Sequence, residues 1–456
     1  MARGPGRKPL RPSGEAAHLT SLLRRLGLDR PELRAWAMYD WANSAMVTTI
    51  ITAVFPIYYS AVAAADLKPA EATYRYGIST TVGLIIIAVL SPLLGYLADR
   101  GGTRMRYLAA FMAVGAVAVL LMFWIERGDW LMASLLFVVA NIGVNGSFVF
   151  YDALLPHVAR EAEIDRVSTA GYALGYVGGG LLLALNLAWI QRPEWFGLPS
   201  GEGLTPAQAT LPSRLAFASV AIWWFLFSIP LFKRVQEPPA SGRPAESLAR
   251  SAHTALIKSF NDLRRYPQAA LMLLAFLIYN DGIGTIIRMA TIYGTEIGIG
   301  RGALIASILL VQFVGIPFSF LFGSLAGRIG TKRAIFLGLV VYAGISVFGY
   351  FMTTGFHFLL LAIMVGTVQG GTQALSRSLF ASMIPKTRSA EFFGFFAVVE
   401  KFAGIFGPLL FSVIISQTGS SRPAILTVIA FFLVGGLLLK RVDVGRGRQE
   451  ALINNS

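Results

Sequence analysis

The chain has 456 residues, 55% of them hydrophobic and only 14% charged, and a mean hydropathy of +0.63. A soluble domain carries roughly a quarter charged residues, so this composition excludes an ordinary soluble fold and points to a multi-pass membrane protein. The 39 Lys and Arg against 24 Asp and Glu leave a net charge of +15, which in such a chain reads as topology-setting loop charge rather than a nucleic-acid footprint. No cysteine is present, which removes disulfide, thiolate and iron–sulfur chemistry.

In chain order, the basic head, 1–35, is too broken by Pro, Gly and Glu to read as a signal peptide. It is expected to be a cytoplasmic tail with a short amphipathic piece around Leu19–Leu28. Six apolar runs follow, about 37–60, 76–98, 106–125, 131–153, 169–190 and 213–232, within a first unit of 36–232. Residues 233–267 contain KRVQEPPASGRPAES, whose Pro, Gly and Ser predict a flexible linker. Six more runs follow, about 268–293, 303–326, 334–354, 357–380, 392–416 and 423–440, in a second unit of 268–441, with a tail of 442–456. Each run is about long enough to cross a hydrocarbon core of roughly 30 Å. The predicted fold class is an all-α membrane protein of twelve transmembrane helices.

Lys and Arg concentrate in the even-numbered connections: Arg100, Arg104 and Arg106; Arg160 and Arg166; Arg328, Lys332 and Arg333; Lys386 and Arg388. That bias places both termini in the cytoplasm. The connections also repeat. Gly95-Tyr-Leu-Ala-Asp-Arg-Gly-Gly-Thr-Arg104 matches Gly323-Ser-Leu-Ala-Gly-Arg-Ile-Gly-Thr-Lys332 at a constant offset (95 to 323, 228 positions), and Pro156 aligns with Pro385. Duplicated six-helix units predict a site between the two halves.

The loop G-x-L-A-D-R-x-G-x-R resembles the signature loop of the major facilitator superfamily, and with twelve spans and a central linker the resemblance covers nearly the whole chain. Trp36–Ala45 (W-A-x-Y-D-W-A-N-S-A), the A-L-L-P…G-G-G stretch of Ala153–Gly180 and the S-R-S-L-F-A…A-E-F-F-G stretch of Ser376–Gly394 look like the vacuole effluxer family. Fungal members of that family are linked to amino-acid export from the vacuole. The resemblance implies an amino-acid-like substrate and export.

Asp99 at the end of span two can accept hydrogen bonds from a helix N-terminus across the bundle and pair with an Arg, Arg100 and Arg104 being at hand. Such a latch would gate the cytoplasmic side; the alternative is a charged turn that anchors topology. Gly327 stands where the second loop would need its Asp, so a second latch is expected to be incomplete.

Ionisable and amide groups at membrane depth are costly and face a bundle interior. In span one, Asp40 and Asn43 are three apart and share a face; Asp40 reads as a gate or a helix cap, and Asn43, the deeper, as a substrate contact. Span four carries Asn141, Asn145 and Asp152 in one stripe. Span ten carries Gln369, Gln373 and Arg377 at steps of four, the amides as substrate contacts and Arg377 as a gate or an anchor reaching for the interface. In span seven, Asp281 near mid-depth is the leading proton-coupling candidate or else a permanent partner of Arg288, and GIGT at 282–285 is expected to break the helix. In span eleven, Glu400 could titrate and Lys401 could bind a carboxylate, each expected to pair with another helix because neighbours point about 100° apart. Tyr172 and Tyr176 in Gly-rich span five could line the cavity.

No phosphate loop, metal-ligand cluster or cofactor motif is found among the four His and the acids, so a lipid enzyme or flippase is disfavoured and no catalytic residue, metal or cofactor is assigned. The leading expectation is a secondary transporter working by rocker-switch alternating access on a small polar solute, amino acids first, with protons as coupling ion. It would act as a monomer in the bilayer of a bacterial inner membrane, without nucleic acid. A multidrug or sugar transporter of the same superfamily, or a non-transporting receptor or scaffold, is the alternative.

Overall fold

The computed structural model describes residues 14–240, 263–296, 298–299, 301–403, 406–418 and 421–453. An amphipathic helix, Gly14–Arg25, precedes the first span. In the first half, span one covers Pro31–Ala63, span two Glu71–Gly101, span three Arg104–Trp124, span four Trp130–Val158, span five Ile164–Gln191 and span six Pro206–Arg234. In the second half, span seven covers Pro267–Glu296, span eight Arg301–Ile329, span nine Thr331–Tyr350, span ten Gly355–Ala381 and span twelve Ser421–Arg441. Eleven of these are each long and apolar enough to cross a membrane. Span eleven differs: it is two helices, Ser389–Phe402 and Phe406–Thr418, with Ala403 extended between them (φ −61°, ψ 121°). A short helix, Val444–Ile453, closes the described chain.

The helices follow from the solvent: in hydrocarbon every backbone N–H and C=O needs a partner, and a helix supplies one within the segment. Pro31, Pro69 and Pro206 sit in first turns, where their missing N–H costs nothing. Span one is not a plain α-helix. Its backbone widens to π-type turns over Met46–Ala53 and again over Tyr59–Ala63, a distortion that tends to mark functional positions.

The repeat read from sequence is present in the backbone. Gly102 and its counterpart Gly330 both adopt positive φ, 57° and 90°, ending spans two and eight in the left-handed region that favours glycine. Gly95 and Gly323 are also equivalent. A Cβ at Gly95 would lie 2.2 Å from the carbonyl oxygen of Ala390 on span eleven, and one at Gly323 would lie 2.2 Å from Thr169 Oγ1 on span five. Each half thus uses the same glycine to bring span two against span eleven, or span eight against span five, in backbone contact with the opposite half. Arg104 and Lys332 correspond as well. Arg104 donates to the carbonyls of Pro238 and Pro239, just beyond span six, and Lys332 to those of Lys440 and Val442, at the end of span twelve.

The break expected in span seven does not occur there. The helix runs unbroken through Gly282–Thr285, and Gly282 serves close packing instead: a Cβ there would meet Phe432 at 2.9 Å. The interruption falls instead in span eleven. The expected linker is described only as far as Ala240 and again from Leu263; its middle, 241–262, and the head through residue 13 lie outside the described residues.

Candidate functional site

Between the halves lies a cavity of about 710 Å³. From span one it is lined by Asp40, Ser44 and Thr48, residues at steps of four on one helical face. Span four contributes Asn141, Asn145 and Asp152, span five Tyr172 and Tyr176, and spans eight and ten Gln312, Gln369 and Gln373. Arg288 of span seven and Glu400 and Lys401 of span eleven complete the charged wall. The Asn141 amide donates to Phe137 O (3.0 Å) and that of Asn145 to Asn141 O (2.9 Å), each one turn back along its own helix. Each thereby uses one of its two amide N–H donors within the helix, and their side-chain carbonyl oxygens make no hydrogen bond to a described residue. Gln312, Gln369 and Gln373 make none at all among the described residues. Buried polar groups are normally paired, so five carboxamides with spare capacity on one cavity wall are a surface suited to a hydrogen-bonding solute.

One end of the cavity is sealed by Arg377. Its guanidinium, 3% exposed, reaches from span ten into the first half, donating to Asp152 Oδ1 at 2.8 Å, to Asp40 Oδ2 at 3.4 Å, and to the hydroxyl and carbonyl of Ser168 at 3.0 and 2.9 Å. Tyr151 donates its hydroxyl to the same Asp40 oxygen at 2.8 Å. The rings of Trp36, Tyr151 and Tyr172 surround the cation at 5.0, 5.6 and 4.7 Å. Arg377 therefore does not run out to the interface, as an anchor would; it ties spans one, four and five to span ten.

Beyond Arg377, on the side carrying both tails, the signature loop closes the molecule. Asp99 accepts the backbone N–H groups of Ala390 (3.1 Å) and Glu391 (2.8 Å), the first turn of span eleven, and pairs with Arg104 at 2.6 Å. Arg104 also donates to Thr387 O at 3.2 Å. A carboxylate at a helix N-terminus meets both the free N–H groups and the positive end of the dipole. Arg100, the adjacent candidate, stacks on Tyr96 instead, 4.3 Å from the ring centre. Glu237, at the start of the linker, accepts the Met105 N–H at 2.9 Å, and partial desolvation of its carboxyl raises it above the usual range. The second loop has its carboxylate after all, from the other half: Asp165, in the first turn of span five, accepts the hydroxyls of Thr331 (2.6 Å) and Ser378 (2.5 Å). The Asp absent at Gly327 is replaced across the interface.

Span eleven is broken beside the cavity, and Asp281 supports the break. Its Oδ2 accepts the N–H of Gly407 at 3.1 Å, at the start of the second piece. Asp281 is 1% exposed and is not on the cavity wall; Arg288, on which its charge acts, is. Glu400 and Lys401 pair with each other, 3.3 Å apart. The sequence expectation of separate partners fails because the helix ends at Phe402, so both long side chains lean together into the cavity. Asn43 also departs from expectation: it is fully buried within the first half, off the cavity wall, with neither amide atom bonded. Asn43 lies about 60° round the helix from Asp40 on one side and Ser44 about 40° on the other, and the cavity wall falls on the Ser44 side.

Of the predicted residues, then, Asp40, Asn141, Asn145, Gln369, Gln373, Arg377, Glu400 and Lys401 converge on the cavity, and Asp99 and Arg104 on the loop behind it. Asn43, Arg100 and Asp281 stand apart from the cavity. Sequence reasoning missed Ser44 and Thr48, which their spacing from Asp40 could have flagged. It also missed Tyr151, whose partner Asp40 is on another helix of the same half, and Asp165 and Ser168, whose partners come from the other half; none of these carries a local signal.

Comparison with known proteins follows this geometry. Residues 69–452 match the family described as vacuole effluxer Atg22 like. The chain is 37% identical over 406 residues to an uncharacterized MFS-type transporter, YxiO, of Bacillus subtilis, covering 89% of this chain and 93% of that one. It is 23% identical to autophagy-related protein 22-1 of Penicillium rubens, over 84% of this chain and 76% of the relative. Among solved structures it is similar in fold to the major facilitator transporter FucP in the outward conformation (TM-score 0.67, 12% identity, 91% of this chain and 100% of that one). It is equally similar to the proton:xylose symporter XylE (TM-score 0.67, 15% identity, 95% and 99%).

Proposed function

Because the chain belongs to the vacuole effluxer Atg22 like family and is a major-facilitator-type transporter, we propose that it exports a small polar organic solute, an amino acid, by alternating access between its two halves. It would act as a monomer in the cell membrane with its tails in the cytoplasm, an orientation that the basic connections favour. The observation that carries this reading is the inter-half cavity of about 710 Å³, lined by five carboxamides with spare hydrogen-bonding capacity and by cationic and anionic groups. A zwitterion needs both charge signs and amide-type partners. Lys401 and Arg288 would meet its carboxylate; Asn141, Asn145, Gln369 and Gln373 would hydrogen-bond its body.

The gate in this reading is the set of polar ties on the tail side. Arg377 to Asp40, Asp152 and Ser168 forms the inner layer, and Asp99 with Arg104 to the start of span eleven forms the outer one. Each joins the two halves, so each must break for the tail side to open, as a two-state switch requires. The conformation described is the one closed on that side.

Thermal-shift screening of the purified protein against amino acids, dipeptides, sugars and hydrophobic cations tests the proposal, since a ligand raises apparent stability by mass action. Stabilisation by amino acids that disappears in Asn145→Ala and Lys401→Ala is expected. Stabilisation by sugars or hydrophobic cations alone would overturn the amino-acid assignment.

A further inference from the structure

We propose that Asp152 is the proton-binding residue of the transport cycle, taking its proton on the oxygen left free of Arg377 while Asp40 keeps the ion pair. The inference rests on the alternating-access reading above and goes beyond it by naming the coupling ion and its site.

The reasoning starts from a charge count. The inner layer holds two carboxylates, Asp40 and Asp152, and one guanidinium, Arg377, which stays charged at any working pH. All three are buried, at 7%, 11% and 3% side-chain exposure. Fully ionised, the cluster carries one uncompensated negative charge in a low-dielectric interior, an expensive arrangement. One proton neutralises it. The other ionisable groups facing it do not supply the missing charge. Glu400 of span eleven is an acid, not a cation, and Lys401 is engaged with it at 3.3 Å; Tyr151 and Tyr172 bring phenols and no cation; Arg288 lies on the cavity wall contributed by span seven, where the charge of Asp281 acts on it.

Bonding distinguishes the two acids. Asp40 Oδ2 accepts from Tyr151 and from both terminal guanidinium nitrogens, three donors that favour its ionised form. Asp152 uses Oδ1 for one bond to Arg377, its Oδ2 accepts none from a described residue, and the side chain lines the cavity. A proton arriving from the cavity would add to that oxygen. The Arg377–Asp152 contact then changes from an ion pair to a bond with a neutral acid. Because Arg377 is on span ten and Asp152 on span four, opening separates them and returns Asp152 towards water, so the closed state binds the proton more tightly: uptake favours closure and release favours opening.

The chain's lack of cysteine allows a direct test. Spin labels at Arg106→Cys and Arg333→Cys, exposed positions at the starts of spans three and nine, report the tail-side separation by double electron–electron resonance between pH 5 and 9 without any solute. The expected result is a closed population that rises on acidification as a single-proton titration. Asp152→Asn should abolish the pH dependence, and Asp40→Asn should move its midpoint to lower pH by leaving a one-to-one Asp152–Arg377 pair. If Asp152→Asn does not fold, Asp152→Glu should displace the midpoint, and an unchanged midpoint overturns the proposal. So does a pH dependence that survives in Asp152→Asn, or a parent protein with none. Failure of the underlying gate reading gives a different signature: Arg377→Gln leaves the closed population at every pH as it is in the parent.

Discussion

Gly95→Ala isolates the outer latch without touching a polar group. The new Cβ would stand 2.2 Å from Ala390 O, 2.6 Å from its carbonyl carbon and 2.9 Å from Glu391 N. These are backbone atoms at the start of a helix and cannot rotate away. Ordinary contact begins at 3.4 Å, so span eleven must retreat by about 1.2 Å (3.4 − 2.2). Along that direction the Asp99 bonds to Glu391 and Ala390, now 2.8 and 3.1 Å, would lengthen to about 4.0 and 4.3 Å, outside hydrogen-bonding range. Hydrogen bonds to a charged group contribute about 1.5–3 kcal/mol each. Loss of even one moves the closed-to-open ratio about tenfold or more, at 1.4 kcal/mol per decade. The state open on the tail side has already separated these surfaces and does not feel the methyl. Spin labels at Arg106→Cys and Arg333→Cys should show the tail-side separation shifting to longer distances in Gly95→Ala, with the fold retained by circular dichroism. An unchanged distance distribution would refute the claim that this backbone contact holds the closed state.

Three further outcomes are expected. Arg377→Ala leaves two buried carboxylates without their cation and should lower stability by about 3–5 kcal/mol, read as a fall in Tm in detergent; the triple variant Asp40→Asn, Asp152→Asn, Arg377→Gln should recover most of it. Asp281→Ala removes the acceptor for Gly407 N–H and should cost about 0.5–2 kcal/mol, the range for a lost helix cap, whereas Asp281→Asn keeps an acceptor and should cost less; equal Tm losses in the two would contradict the capping role. Glu237 is pushed up by burial, so the folded state holds its proton more tightly than the unfolded chain, and its contribution to stability is greatest at low pH and is lost as pH rises through its folded titration. Glu237→Gln should therefore match or exceed the parent Tm at neutral pH and lose that advantage as the pH falls, a trend a Tm series across pH 4–8 would show.

The sequence by itself determined the class, the number of spans, the duplication and much of the lining of the central cavity. Apolar runs are legible because a bilayer demands about twenty such residues and an internally bonded backbone. The repeat is legible because Gly95 and Gly323, and Gly102 and Gly330, perform the same backbone task in both halves. Amides at steps of four in spans four and ten declare a shared face, and both stripes line the cavity. Tertiary structure decided everything that depends on which helix faces which. It turned Asn43 inward and Ser44 outward, moved the helix break from span seven to span eleven, and gave Asp281 a helix end to cap. It placed Arg377 between two acids from the other half and supplied, through Asp165, the carboxylate that the second loop lacks. Those pairings join residues 337 positions apart in one case (Asp40 to Arg377), and a periodicity read within one helix carries no information about the rotation of another. Burial in hydrocarbon makes each such pairing costly to leave unmade, and packing between helices selects which pairing forms.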